Sequence, residues 1–299
     1  MQILYAHFMV DDTGIVKSKN DLTFSVQKAY DLYFYLLLLI ISIRQYAESR
    51  IELARNKKLP TYEDLHPNTR FVNNVVIRKI SENVTFTKYL KDHRMSWVKH
   101  PELIKNLYNR LIESSYYKEY MERPTCKYMD DKWLLINFYA SELEDNDMFY
   151  DILEEQSIFW NDDIEFIVVM VIKTLIDIRV KRTDILPLYK SKEDREFAFH
   201  LLHSTIVHYD EYHKLIEEYV DNWDIERVAQ TDNLIMQMAI NELIEFSSIP
   251  VKVTFDEYLE LAKYYSTSKS SLFINGLLDK ISADLTQKGK IIKMGRGLE

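Results

Sequence analysis

Ser270-Ser-Leu-Phe-Ile-Asn-Gly-Leu-Leu-Asp-Lys-Ile281 places Ile274, Leu277, Leu278 and Ile281 at the i, i+3, i+4, i+7 spacing of one helical face. That stripe predicts the buried side of an amphipathic helix. Phe273 stands about 100° off the stripe, next to Gly276 and near Lys269, so this large aromatic either reaches the surface beside a cation or packs under a neighbouring loop. Upstream, Leu234-Ile-Met-Gln-Met-Ala-Ile240 has a single polar residue, Gln237. A helix apolar almost all round needs neighbours on every side, so this one is expected at the centre of a bundle.

Helical spacing extends along most of the 299 residues, over about 22–55, 68–82, 84–94, 101–119, 130–143, 146–158, 163–182, 193–219, 225–246, 253–265 and 269–286. Strand-like alternation is rare, and the six prolines fall between these segments or at their starts. The fold class is therefore all-α, built of helical bundles. Asp224 and Thr254 are expected N-caps, the latter forming a capping box with Glu257. Linkers are expected at 120–129 and 183–192. The longest apolar run, Tyr33 to Ile43, is shorter than the roughly 20 residues a bilayer requires and reads as a buried helix segment.

Composition excludes several chemistries. Gly276 is the only glycine between Gly14 and Gly289, so glycine-rich phosphate cradles and dinucleotide turns have no place here. A glycine inside a helix costs about 1 kcal/mol relative to alanine, which points to a packing or contact reason for this one. The single Cys126 excludes an intramolecular disulfide and a cysteine zinc site, and no secretory leader is apparent, so a cytoplasmic protein is expected. Glu196, His200 and His203 share a helix face with metal-ligand spacing, but no second ligand cluster accompanies them. Asp130-Asp131 and Asp162-Asp163 fit helix starts better than acid/base dyads. No enzyme, cofactor or metal is expected.

Charge is uneven. Seven Lys or Arg stand against Asp279 and Asp284 between Lys263 and Arg296, a balance of +5 in a chain whose net charge is −9. An acidic protein with one basic end is a poor nucleic-acid binder alone, because affinity for phosphates comes from charge neutralisation; the basic end can act locally or beside a basic partner, or be a solvated helix end and tail.

Ala239-Ile-Asn-Glu-Leu243, Ile249-Pro-Val-Lys-Val253, Glu260-Leu-Ala-Lys263 and Phe273-Ile-Asn-Gly-Leu-Leu-Asp-Lys280 together resemble the C-terminal part of the NusB transcription antitermination factors, and Gln2-Ile-Leu-Tyr5 resembles the start of their first helix. The resemblance implies a non-catalytic all-α protein. It implies binding of boxA-type single-stranded RNA from the ribosomal leader, together with the small-subunit ribosomal protein NusE, in a complex that keeps RNA polymerase elongating. Carried over by residue, the RNA-facing set is Gln2, Tyr5, Lys269, Phe273 and Asn275, and the NusE contacts are Tyr5 and Asp232. A phosphate-contacting arginine of the family's central helix is Gln237 here. The implied organisation is a first helix at 1–10, an acidic helical insertion at 11–190, an RNA- and protein-binding domain at 191–287, and a basic tail at 288–299 whose Leu298-Glu299 resembles a purification-tag remnant. The other function the residues allow is a helical protein-interaction scaffold in which RNA binding has been lost.

Overall fold

The computed structural model describes residues 1–10, 14–180, 182–220 and 228–298. Fifteen α-helices occur among them, with no strand beyond an isolated bridge between Arg179 and Arg182. They divide into two compact units, one of residues 1–24 with 189–299 and the other of residues 25–188. The divisions fall at 24/25 and 188/189, where the sequence suggested 10/11 and 190/191. The linker expected at 120–129 narrows to residues 123–127, a connection between helices inside the second unit.

The second unit is built around α2 (Ile15–Arg55), which starts among residues of the first unit and continues into the second. From Leu32 to Ile43 nearly every residue is buried, because α3 (Tyr62–Leu65) to α10 (Ile164–Asp177) follow and several of them supply apolar faces to this core. By length and composition α2 resembles a membrane-crossing helix, but 61% of its apolar window is buried inside the protein. It reads as a core helix. Polar groups lock the core: Tyr139 donates to the Leu36 carbonyl (2.6 Å) and the Trp97 indole to that of Tyr35 (3.0 Å). The expected helix over 101–119 is two, α6 (Pro101–Glu113) and α7 (Ser115–Glu122), because Ser114 turns to extended backbone and its hydroxyl caps the Tyr117 amide. The expected 68–82 helix shortens to α4 (Val75–Ser81), started by Asn74, whose side chain accepts from the amides of Val76 and Ile77. α5 (Val84–His93), α8 (Tyr128–Ser141) and α9 (Asp147–Gln156) complete this unit.

In the first unit, α1 (Gln2–Met9), α11 (Lys192–Val207), α12 (Tyr209–Tyr219), α14 (Val251–Tyr265) and α15 (Ser268–Gln287) all pack on α13 (Gln230–Glu245). α13 buries every residue from Asp232 to Leu243, as its sequence requires. The segment 193–219 divides at His208 into α11 and α12. α1 joins this bundle through Leu4, with Ile3 and Phe8 partly buried and the Phe8 ring 4.0 Å from that of Tyr209.

Of the two cap expectations, one changes. Asp224 lies outside the described residues. Thr254 is an interior residue of α14, because Pro250 with its fixed φ already starts that helix, and the Thr254 hydroxyl instead donates to Glu242 (2.8 Å). Tyr258 donates to the other Glu242 oxygen at 2.9 Å. The terminal segment is also integrated: Ile291 is buried in the bundle core, the Met294 amide donates to the Ser247 carbonyl (2.9 Å), and Lys293 donates to that of Phe246 (3.0 Å). It is a packed strap, not a solvated tail.

Charge follows the helices differently from expectation. Residues 11–190 hold 26 Lys or Arg against 28 Asp or Glu, while 191–262 hold 5 against 16. The acidity attributed to the insertion belongs to the helices preceding the basic end.

Burial raises the Glu242 carboxyl above its usual 4.5, with the bonds from Thr254 and Tyr258 opposing the shift. A carboxyl raised by folding binds its proton more tightly in the folded state, so its contribution to stability falls as pH rises from about 4.5 through the folded value. Relative to Glu242→Gln, the wild-type protein is expected to lose stability as pH increases across that window. Paired thermal melts from acid to neutral pH measure it, and a difference independent of pH refutes the assignment.

Candidate nucleic-acid interface

Lys269, Phe273, Gly276 and Lys280 lie at i, i+4, i+7 and i+11 on α15, within about 60° of one another around the helix axis, on a line about 16 Å long. Ile274, Leu277, Leu278, Ile281 and Leu285 hold the adjoining face of the helix in the core. The resulting stripe has a lysine at each end and an aromatic beside a glycine between them. Thr267 caps the helix by accepting from the Ser270 amide at 3.2 Å.

Phe273 is half-buried, packed against the bundle core, instead of projecting freely beside Lys269. The reason is a second wall: Tyr219 and Val220, at the end of α12, face it across a groove of about 320 Å³ that also involves Leu272, Gly276 and Lys280. A Cβ built on Gly276 would meet nothing within 4 Å, so packing does not demand this glycine. Its effect is to leave the groove open. Asn275 is exposed but stands about 160° around α15 from Phe273, on the opposite flank of the buried stripe. The structure does not bring it to the groove.

Electrostatics select the same face. Lys263 pairs with Glu260 (2.5 Å), Lys288 with Asp284 (2.6 Å) and Lys290 more loosely with Glu211 (4.0 Å), while Lys293 is committed to a backbone carbonyl. Among the described residues Lys269 and Lys280 form no ion pair, and both are exposed. Lys280 and Tyr219 were not among the expected site residues. Lys280 is recoverable from its seven-residue spacing to Phe273, whereas nothing in the sequence aligns Tyr219 with either.

The remaining expected contacts are dispersed. Gln2 is exposed and Tyr5 is 40% exposed, three residues apart on one face of α1, which shares α13 with α15 as a packing partner. Asp232 is only 5% exposed in the first turn of α13, and one of its carboxylate oxygens has no hydrogen-bond partner among the described residues. A solvent-facing protein contact is not what this conformation presents. Gln237 is fully buried, so a phosphate contact from this position is absent for reasons of placement as well as side-chain type.

Candidate catalytic and metal groups are held otherwise. Cys126 lies 3.1 Å from the Asp131 carboxylate, and burial together with that carboxylate pushes its thiol up to about 11, away from the thiolate a nucleophile needs. Asp131 is engaged by the Val75 amide (2.9 Å) and the Tyr120 hydroxyl (2.7 Å). His200 approaches Glu245 (3.5 Å), and burial lowers the His203 pKa. Among the described residues no group of three or more His, Cys, Asp or Glu is placed to hold a metal.

Comparison with known proteins defines the lineage. The model of the NusB family matches residues 170–283. The transcription antitermination protein NusB of Salinibacter ruber (strain DSM 13855 / M31) is 43% identical over 112 residues, covering 38% of this chain and 70% of that protein. The chain belongs to the NusB family. The NusB protein of Chloroherpeton thalassium (strain ATCC 35110 / GB-78) is 38% identical over 104 residues, 35% of this chain and 49% of that protein. That of Thermodesulfovibrio yellowstonii (strain ATCC 51303 / DSM 11347 / YP87) is 40% identical over 95 residues, 32% of this chain and 63% of that protein. The chain thus spans less than two thirds of the latter two relatives. No solved structure matches it significantly. The family match contains α11 to α15 almost entirely and includes the α15 stripe; residues 1–169, Gln2 and Tyr5 among them, lie outside it.

Three substitutions on α15 are expected to separate core from groove. Ile274→Ala, at a fully buried position, costs about 2–5 kcal/mol. Phe273→Ala costs less than that, and Gly276→Ala stabilises by about 1 kcal/mol, since helix propensity improves with no steric opposition. Chemical denaturation of the three variants checks the order, and a destabilising Gly276→Ala shows that the open groove is misassigned.

Proposed function

We propose that this NusB-family protein is a transcription antitermination factor that binds boxA-type single-stranded RNA of the ribosomal leader together with the small-subunit ribosomal protein NusE, in the cytoplasm, as part of the complex that keeps RNA polymerase elongating. The observation that carries the RNA reading is the stripe on α15. Two exposed lysines without ion pairs among the described residues flank an aromatic-walled groove kept open by a glycine. Single-stranded RNA is held by stacking of unpaired bases on aromatic side chains and by phosphate contacts to cations, with about 1–3 kcal/mol per stacked base. Phe273 and Tyr219 supply ring surface, and Lys269 and Lys280 supply phosphate contacts. Gln2 and Tyr5 extend the proposed RNA surface on α1, and Asn275 contributes only to RNA that passes the other flank of α15.

The charge distribution supports dependence on a partner. The −11 carried by residues 191–262 repels the same polyanion that the stripe attracts. NusE supplies compensating cations in this proposal, with Tyr5 as a contact from α1. Asp232 contributes once the start of α13 rearranges to expose its carboxylate.

RNA titrations with and without NusE test the proposal. The protein alone is expected to bind boxA RNA weakly, with NusE raising affinity for boxA over a scrambled sequence. Phe273→Ala is expected to weaken the ternary complex about tenfold, the loss of one stacking contact. Gly276→Ala is expected to weaken it while the fold becomes more stable, an outcome that general destabilisation cannot produce. Equal affinity with and without NusE refutes the cooperative model, and RNA binding indifferent to both substitutions removes the α15 stripe from the interface and favours the scaffold function.

A further inference from the structure

A cavity of about 480 Å³ in the second unit, residues 25–188, has a chemistry that the RNA proposal does not use. Lys28, His93, Arg94, Lys99 and His100 contribute to its lining, against the single carboxylate of Asp31. That carboxylate is already engaged: Lys28 approaches at 3.0 Å, the Tyr89 hydroxyl donates at 2.7 Å, and His93 Nδ1 lies at 3.2 Å. Lys28 is thereby balanced. Among the described residues Arg94 and Lys99 have no ion pair, leaving two permanent cations and two imidazoles around one solvent-open space.

The wall behind these cations is fixed. Tyr35 and Trp160 are almost fully buried, with the Tyr35 ring stacked 3.8 Å from that of Trp97 and the Trp160 indole donating to the Lys28 carbonyl (2.8 Å). Gln156 donates to the Tyr35 hydroxyl (2.7 Å), and the same amide nitrogen lies 3.2 Å from His100 Nε2. Arg94 itself ends α5 in the left-handed region, at φ 52° and ψ 40°, where a side chain other than glycine or asparagine is uncommon. A glycine would hold that backbone at lower cost than the arginine that stands there.

We infer that this cavity binds a small phosphate-bearing anion, either inorganic phosphate or a phosphate monoester such as a nucleotide. Arg94 provides forked donors for phosphate oxygens, Lys99 a second cation, and the imidazole of His100 a further hydrogen bond. Volume accommodates a mononucleotide as readily as a free ion. The cavity lies outside the residues of the RNA proposal, so either can fail without the other.

Isothermal titration of the full chain with inorganic phosphate, adenosine 5′-monophosphate and adenosine decides the matter. One-to-one saturable binding of phosphate, the nucleotide or both is expected, with none for uncharged adenosine; the ratio of the first two identifies the physiological source. Arg94→Gly removes the guanidinium while suiting the backbone, so it is expected to melt no lower than wild type yet bind about tenfold more weakly, the loss of one charge-assisted contact. Lys99→Gln is expected to weaken binding similarly. Lys118→Gln, an equal charge change on α7 outside the cavity, is expected to leave it unchanged. The inference is overturned by absence of saturable binding at millimolar ligand, by equal effects of Arg94→Gly and Lys118→Gln, or by binding of an RNA oligonucleotide where neither phosphate nor the nucleotide binds.

Discussion

A helix surrounded on all sides must be fixed in rotation and in translation, and apolar contacts alone do neither well. α13 solves this with polar side chains inside the bundle. Asn241 accepts from Tyr212 of α12 (3.2 Å) and donates to Ser204 of α11 (2.8 Å), while one residue later Glu242 accepts from Thr254 and Tyr258 of α14. Together these bonds tie α13 to three neighbours, and a slip by one residue would leave several buried polar groups unpaired, at about 1–3 kcal/mol each. The position of α15, which packs on both α13 and α14, depends on this registration. So does the groove, since its other wall comes from the end of α12.

The features that the sequence made legible are those written in local periodicity. The central place of α13 followed from Leu234–Ile240, and the buried face of α15 from Ile274, Leu277, Leu278 and Ile281. Features set by tertiary contact were not legible. Thr254 reads as a cap until Pro250 is seen to start the helix and Glu242 to claim the hydroxyl. Phe273 reads as exposed until Tyr219 and Val220 are seen to wall it in. Asp232 reads as a partner contact, yet it is buried, and Asn275 stands near Phe273 only when the chain is read as a line.

The basic terminal segment illustrates how a charge count differs from an available charge. Seven basic residues stand between Lys263 and Arg296. Intramolecular partners occupy Lys263, Lys288, Lys290 and Lys293, while Lys269 and Lys280 share one side of one helix. Exposed ion pairs contribute little to stability, typically below 1 kcal/mol, but they withdraw cations from external phosphates. Selectivity of position arises here by subtraction.

The two ends of the second unit are tied together: Tyr30, near its start, donates to the Leu186 carbonyl (2.8 Å), and the Leu186 amide donates to the Tyr33 hydroxyl (3.2 Å). This matters for the order in which the chain assembles. Residues 25–188 are contiguous in sequence, whereas residues 1–24 share a unit with helices that begin at Lys192. An unfolded connection of that length would oppose their meeting through a length-dependent closure entropy of roughly 4–5 kcal/mol. With Tyr30 and Leu186 already bonded, the newly made C-terminal helices emerge from a short tether instead of a long coil. The large insertion thereby acts as a clasp, turning a distant pairing of chain segments into a nearly local one.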